Sequence, residues 1–227
     1  MKKTLIRILV LLLASGSSGL HAGDHAGEWY SAASFIAAYG ELHDIDSVGT
    51  PQGPLNTDGR ADEVVGFGLA IGYEGQTWPL RGELEYIWRY RTDMNFNQML
   101  PAGRVNGFKS DARTQQLMAN LYWDIRKDWL YSPYIGGGVG VVSHELDTSR
   151  SLDLTFPGGH ISESSSDMSW ALMAGFRRAN FKHGKLQLGY RFSHLGEMRT
   201  GRYSDGAQFE AGEYISHEIV IGWQLTI

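Results

Sequence analysis

The sequence predicts an all-β fold: an eight-stranded antiparallel transmembrane β-barrel in an up-and-down meander, preceded by an N-terminal signal peptide. Three observations predict it. An export signal opens the chain, and eight segments alternate between apolar and non-apolar residues with turn signals between them. The non-apolar face of those segments carries glycine and mixed charge where a water-facing strand would carry Thr, Lys, Glu or Ser.

The ends and the composition set the frame. Lys2, Lys3 and Arg7 precede a short apolar run, Ile8 to Ala14, and a small-residue stretch, "SGSSGLHA". This is the tripartite pattern of a secretory signal, and the run is too short for a helix that spans a bilayer in about 20 residues. Cleavage is expected after Ala22, with Gly19 as the alternative site. That assigns 1–22 to the signal and 23–227 to a barrel domain. Removing three cations from a formal net charge of −5 leaves −8, which argues against nucleic-acid binding. The chain has no cysteine, so neither a disulfide framework nor thiol chemistry is available. Past the signal no segment is apolar enough for a membrane helix, so an exported chain that enters a membrane must do so as a closed barrel.

The strands are expected at about 29–42, 63–74, 80–91, 112–125, 131–144, 168–179, 185–196 and 214–227. The first, "WYSAASFIAAYGEL", is rich in small residues and has the weakest pattern. The second sets Val65, Phe67, Leu69, Ile71 and Tyr73 against Val64, Gly66, Gly68, Ala70 and Gly72, with Glu74 at the end. The third, "LRGELEYIWRYR", sets Leu80, Gly82, Leu84, Tyr86, Trp88 and Tyr90 against Arg81, Glu83, Glu85, Ile87, Arg89 and Arg91. The fifth repeats the glycine face with Gly136, Gly138 and Gly140 opposite Ile135, Val139 and Val141. The last places Ile219, Ile221, Trp223, Leu225 and Ile227 on one face. Connections after the second, fourth and sixth strands are short ("GQTWP", "RKDWL", "NFKHG"), and those after the odd strands are long and polar. Strict alternation puts all long loops at one end, the layout of outer-membrane barrels with their long loops outside the cell.

Orientation follows from the glycines. Inside a narrow eight-strand barrel they leave room for long side chains from facing strands. Those side chains are Arg81, Glu83, Glu85, Arg89, Arg91, Tyr122, Asp124, Arg177, Arg191 and Glu218, a charge network with a structural or gating role. Turned outward, the strand-80 arginines would each cost about 2–4 kcal/mol near the bilayer midplane. The seven tryptophans fit the same orientation as an aromatic girdle: Trp29, Trp78, Trp123, Trp129 and Trp223 near the short-turn ends, Trp88 and Trp170 near the outer ends.

Catalytic and metal chemistry have few candidates. Ser193 and His194, with Glu197 beyond, suggest a lipid-modifying nucleophile and base, but adjacent strand residues point to opposite faces. A His followed two positions later by Ser, the lipid A deacylase arrangement, is broken by Gly196. The expected mature terminus, Gly23-Asp24-His25, has the form of a square-planar copper or nickel chelate, yet a polar tail is the simpler reading. The other histidines, His43, His144, His160, His183 and His217, show no ligand spacing and read as loop or rim residues. No catalytic residue, metal or cofactor is expected.

The segments "SPYIGGGVGV", "LGYRFSHLGEMRTG" and "SHEIVIGW" resemble strands of the small Opa/OmpA-like surface-antigen porin family, across the whole mature chain. Gly222, Trp223, Leu225 and Ile227 resemble the C-terminal signal read by the outer-membrane assembly machinery, with Ile227 in place of the customary terminal phenylalanine. The resemblance implies an integral outer-membrane protein, monomeric, in contact with outer-membrane lipid and lipopolysaccharide. It also implies a structural or adhesin-like role for the long loops, whose extracellular ligand the sequence does not name. A minor pore is the alternative, and a lipid A-modifying enzyme the next.

Overall fold

In the computed structural model, the strand pairings run around a circle and return to their start. The structure describes residues 27–48, 55–58, 61–100, 104–126, 129–150, 159–181, 184–199, 201 and 208–227. The signal segment 1–22 and the Gly23-Asp24-His25 tail lie outside the described residues, as do the side chains of Arg91 and His43 and residue His183. The strands are β1 (Gly27–Val48), β2 (Leu55–Asp58), β3 (Ala61–Gly75), β4 (Leu80–Leu100) and β5 (Arg104–Asp124), followed by β6 (Tyr131–Arg150), β7 (His160–Phe181), β8 (Gly184–His194), β9 (Met198–Arg199) and β10 (Gln208–Thr226).

Eight of these form the wall in the order β1-β3-β4-β5-β6-β7-β8-β10, and β1 pairs antiparallel with β10 from Tyr30↔Thr226 to Val48↔Gln208. That last pairing leaves the wall without an edge. The short β2 and β9 are additions outside the barrel's own path, pairing with β4 and β10 respectively.

Alternation along each strand sorts side chains to two environments, and the sorting is inverted from that of a soluble protein. Phe67, Leu69, Leu121, Val139, Leu172 and Ile219 each leave about half or more of their surface exposed on the outside, while Arg81, Glu85, Arg89 and Glu218 are at most 3% exposed on the inside. Glycines on the inner face make that possible. A Cβ at Gly72 would lie 2.2 Å from the Tyr30 ring, and one at Gly140 would lie 2.0 Å from the Leu117 carbonyl oxygen. The interior also holds an apolar layer of Ile36, Val64, Ile87, Met118 and Val220, so charge alone does not fill it.

The strands run much further than alternation indicated. β4 and β5 are 21 residues each and stay paired to Leu100↔Arg104, through what reads in the sequence as a loop at 92–111. A membrane-crossing strand needs about 9–11 residues, so roughly half of this hairpin stands beyond the apolar band. The sequence pattern fades there because no lipid selects one face, yet main-chain pairing continues. A register shift between Arg89 and Thr92 marks the transition, a bulge of the kind that bends and twists a strand.

Candidate functional site

The lumen is built in tiers from the short-turn end upward. At the bottom Arg177 on β7 grips Glu74 on β3 with both terminal nitrogens, at 2.7 and 2.9 Å, and reaches Asp124 at 2.8 Å. Lys185 adds a 2.8 Å contact to the same Glu74 carboxylate. A forked guanidinium on a planar carboxylate is the strongest ion-pair geometry available to side chains.

Above this, Arg81 is caged by three tyrosines, with its guanidinium carbon 4.1 Å from the centre of the Tyr122 ring and 5.9 and 5.7 Å from those of Tyr30 and Tyr134. Glu83 accepts hydrogen bonds from Tyr30 and Tyr122. Glu85 accepts from Arg191 at 2.7 Å and from Asn120 at 2.8 Å. The upper tier joins Arg89 to Glu218 through two nitrogens on one carboxylate oxygen, and to Gln116 at 2.9 Å. Among the described residues the network contains five carboxylates (Glu74, Glu83, Glu85, Asp124, Glu218) and five cations (Arg81, Arg89, Arg177, Arg191, Lys185), so opposite signs meet throughout.

The outer mouth is closed by the chain itself. After His194 the backbone turns inward; Leu195 is fully buried and Met198 nearly so. Gly196 takes φ of +71°, the left-handed region that favours glycine. The Leu195 amide donates to the Tyr214 carbonyl, and the Tyr214 amide donates to the Gly196 carbonyl. Asp167 accepts the Glu197 and Met168 amides at 2.9 and 2.7 Å, and these bonds hold its carboxyl below the usual aspartate range. His144 completes the closure. A carbonyl oxygen only accepts, so Nε2 of His144 donates to the Leu195 oxygen at 2.8 Å, and Nδ1 accepts from the Thr114 hydroxyl at 3.0 Å. His144 lies beyond the apolar outer band of β6, which ends at Val141. Burial lowers its pKa to about 4, and the nearby Arg89 acts in the same direction. Of the expectation that His144 is a loop or rim residue, the rim position holds and the loop does not: it lies on β6 at the mouth, faces inward and is buried.

The structure places Arg81, Glu83, Glu85, Arg89, Asp124, Arg177, Arg191 and Glu218 together in the lumen. Sequence reasoning left out Lys185, Tyr30, Tyr134, Gln116, Asn120 and Gln187, and counted Glu74 only as a strand cap. Each lies on the inward parity of its strand, so carrying the alternation through with polar residues included would have found them. On the outside, Trp29 packs edge-on against Tyr73, Trp88 packs at a tilt against Tyr90, and Trp170 stacks on His194. Trp78, Trp123 and Trp129 are exposed close to the short turns. In β10, Gly222 is inward and buried, Leu225 is outward, and the Ile227 amide donates to the Trp29 carbonyl. Ser193 is buried inward while His194 faces outward, so no dyad forms between them.

Comparison with known proteins agrees with this geometry. A family model described as "Outer membrane protein beta-barrel domain" matches residues 8–221. Outer membrane protein PagN of Salmonella typhimurium is 25% identical over 201 residues, spanning 83% of this chain and 80% of that protein. The crystal structure of Neisserial surface protein A superposes with a TM-score of 0.52 at 13% identity, covering 89% of this chain and 99% of the other, which is a likeness of fold.

Proposed function

Because this chain belongs to the outer membrane protein beta-barrel domain family, and so is an integral β-barrel of the Gram-negative outer membrane, we propose that it serves as a plugged scaffold for surface interaction, adhesin- or antigen-like, rather than as a conduit. The observation that carries this reading is the filled lumen. Three tiers of paired charge, an apolar layer and the inward turn at Leu195 succeed one another along the axis. The barrel is a rigid base, and the paired extension of β4 and β5 presents its tip well beyond the apolar band. Recognition on a rigid scaffold sits in such connecting segments.

In this reading the lumen charges brace the wall, and Trp29, Trp78, Trp88, Trp123, Trp129, Trp170 and Trp223 seat the barrel at the two interfaces as a girdle against outer-membrane lipid and lipopolysaccharide. Gly222, Trp223, Leu225 and Ile227 present the last strand to the assembly machinery. The opposite faces of Ser193 and His194 favour a non-catalytic role.

Recording in planar bilayers tests the plug. The expected trace has no discrete conductance steps, and regular steps at the native protein that shift in size in Arg89→Ala would establish the minor-channel alternative instead. Excising residues 92–111 tests the display role. Cells carrying the shortened barrel are expected to lose surface adhesion while the barrel itself still reaches the outer membrane, and undiminished adhesion would remove this reading.

A further inference from the structure

Charge is distributed unevenly around the short-turn rim of the barrel. On β5 the exposed outward row of Leu121, Trp123 and Ile125 is followed directly by Arg126, which is exposed. On β7 the outward row of Leu172 and Phe176 ends at Arg178, which is half-buried. Both guanidiniums are held over aromatic rings. The guanidinium carbon of Arg126 lies 4.9 Å from the centre of the Trp129 ring, and that of Arg178 lies 5.4 Å from the centre of the Tyr131 ring. Tyr131 is also the cross-strand partner of Arg178, so β5, β6 and β7 bring two cations and two rings to one sector. On the other side of the rim β1, β3 and β4 present Trp29, Tyr73 and Trp78, and the exposed charge there among the described residues is Glu28. In sequence the two basic connections add Lys127 and Lys182 against one acid, Asp128.

Depth decides what these groups meet. Tryptophan and tyrosine rings settle at the boundary between hydrocarbon and headgroups. The arginines stand just beyond the last apolar residue of their strands, at the level of lipid phosphates. A guanidinium carries its donors around the edge of a plane, and its fork matches a phosphate bidentately. An aromatic ring attracts that plane through its face and so pre-positions it, which leaves less side-chain freedom to lose when an anion arrives. Arginines that served only to reach water would have no reason to gather on one sector. The short-turn end faces the periplasm in barrels of this layout, so the leaflet it meets is the periplasmic one.

We propose that Arg126 and Arg178, backed by Trp129 and Tyr131, form a docking sector for an anionic phospholipid of the inner leaflet. The guanidiniums take its phosphodiester, and its acyl chains lie along the exposed Ile125, Ile135 and Phe176. The sector lies outside the lumen and is independent of what the outer hairpins recognise.

Native mass spectrometry of the full barrel, released from detergent micelles doped with equal amounts of phosphatidylglycerol and phosphatidylcholine, tests this. The native protein is expected to retain phosphatidylglycerol in preference. Arg126→Gln combined with Arg178→Gln is expected to lose that preference while the heat-modifiable gel shift of the folded barrel persists. Lys109→Gln combined with Arg113→Gln removes the same charge at the other end of β5 and is expected to leave the preference intact. Should the rim variant fail to fold, Arg126→Gln alone, in an exposed connection, is expected to weaken the preference. Equal retention of both lipids by the native protein, a preference unchanged by the rim variants, or one lost equally in the charge-matched control would each overturn the proposal.

Discussion

At the scale of single residues, the energetics are those of charge removed from water. Arg89 and Glu218 are 1% and 0% exposed, so removing Arg89 leaves Glu218 in a low-dielectric interior with only the more distant Arg191, 3.8 Å away. Arg89→Met is expected to cost about 3–5 kcal/mol, and the paired change Arg89→Met with Glu218→Met considerably less, because no lone charge is left behind. Urea unfolding in micelles, read as a double-mutant cycle, measures both. Gly140→Ala sets a Cβ against the Leu117 carbonyl rather than against a movable side chain, so a loss of about 1–3 kcal/mol is expected in the same assay. His144 supplies the pH dependence. Its folded pKa, about 4, lies below the unfolded value near 6.5, so the unfolded chain binds the proton more readily. The contribution to stability is therefore complete above about pH 6.5, declines as pH falls towards 4, and is flat below. Thermal midpoints between pH 7 and pH 4 should fall more in the native protein than in His144→Gln, and equal slopes would count against this account.

At the scale of elements, the hairpin of β4 and β5 separates two kinds of strand. Within the apolar band both faces are chosen, one by lipid and one by the lumen, and alternation is strong. Beyond the bulge after Arg89 main-chain pairing continues to Leu100↔Arg104. Hydrogen exchange distinguishes a paired extension from a loop. Amides between Asn95 and Lys109 that face the partner strand are expected to exchange far more slowly than unstructured chain, and exchange at the unstructured rate would show that pairing ends near Thr92. The outer end of β8 shows the converse. The sequence extends that strand to residue 196, but it stops at His194, where Leu195 turns in under His144 at the mouth of the lumen and Gly196 takes a positive φ.

At the scale of the whole molecule, closure by β1 and β10 makes the barrel a single cooperative ring. Migration on a gel should therefore differ between boiled and unboiled samples, and identical migration would contradict a closed barrel. Much of this was legible in the chain. Alternation is a local property with a period of two, so Leu84, Trp88, Arg81 and Arg89 could be sorted to faces from neighbours alone, and the glycines of the second and fifth predicted strands settled which face met lipid. Strand number followed from the alternation and its turn signals. What sequence could not provide is who meets whom. Glu74 and Arg177 are 103 residues apart, Glu85 and Arg191 106, and Arg89 and Glu218 129. Those partnerships depend on the stagger of every strand around the ring and on rotamers that reach across the lumen. The burial of His144 and the inward turn at Leu195 belong to the same class. The chain by itself determined which side of the wall each residue occupies, because that choice is made residue by residue against lipid or lumen; only closure of the ring decided the contacts, because they are made between strands that the sequence holds far apart.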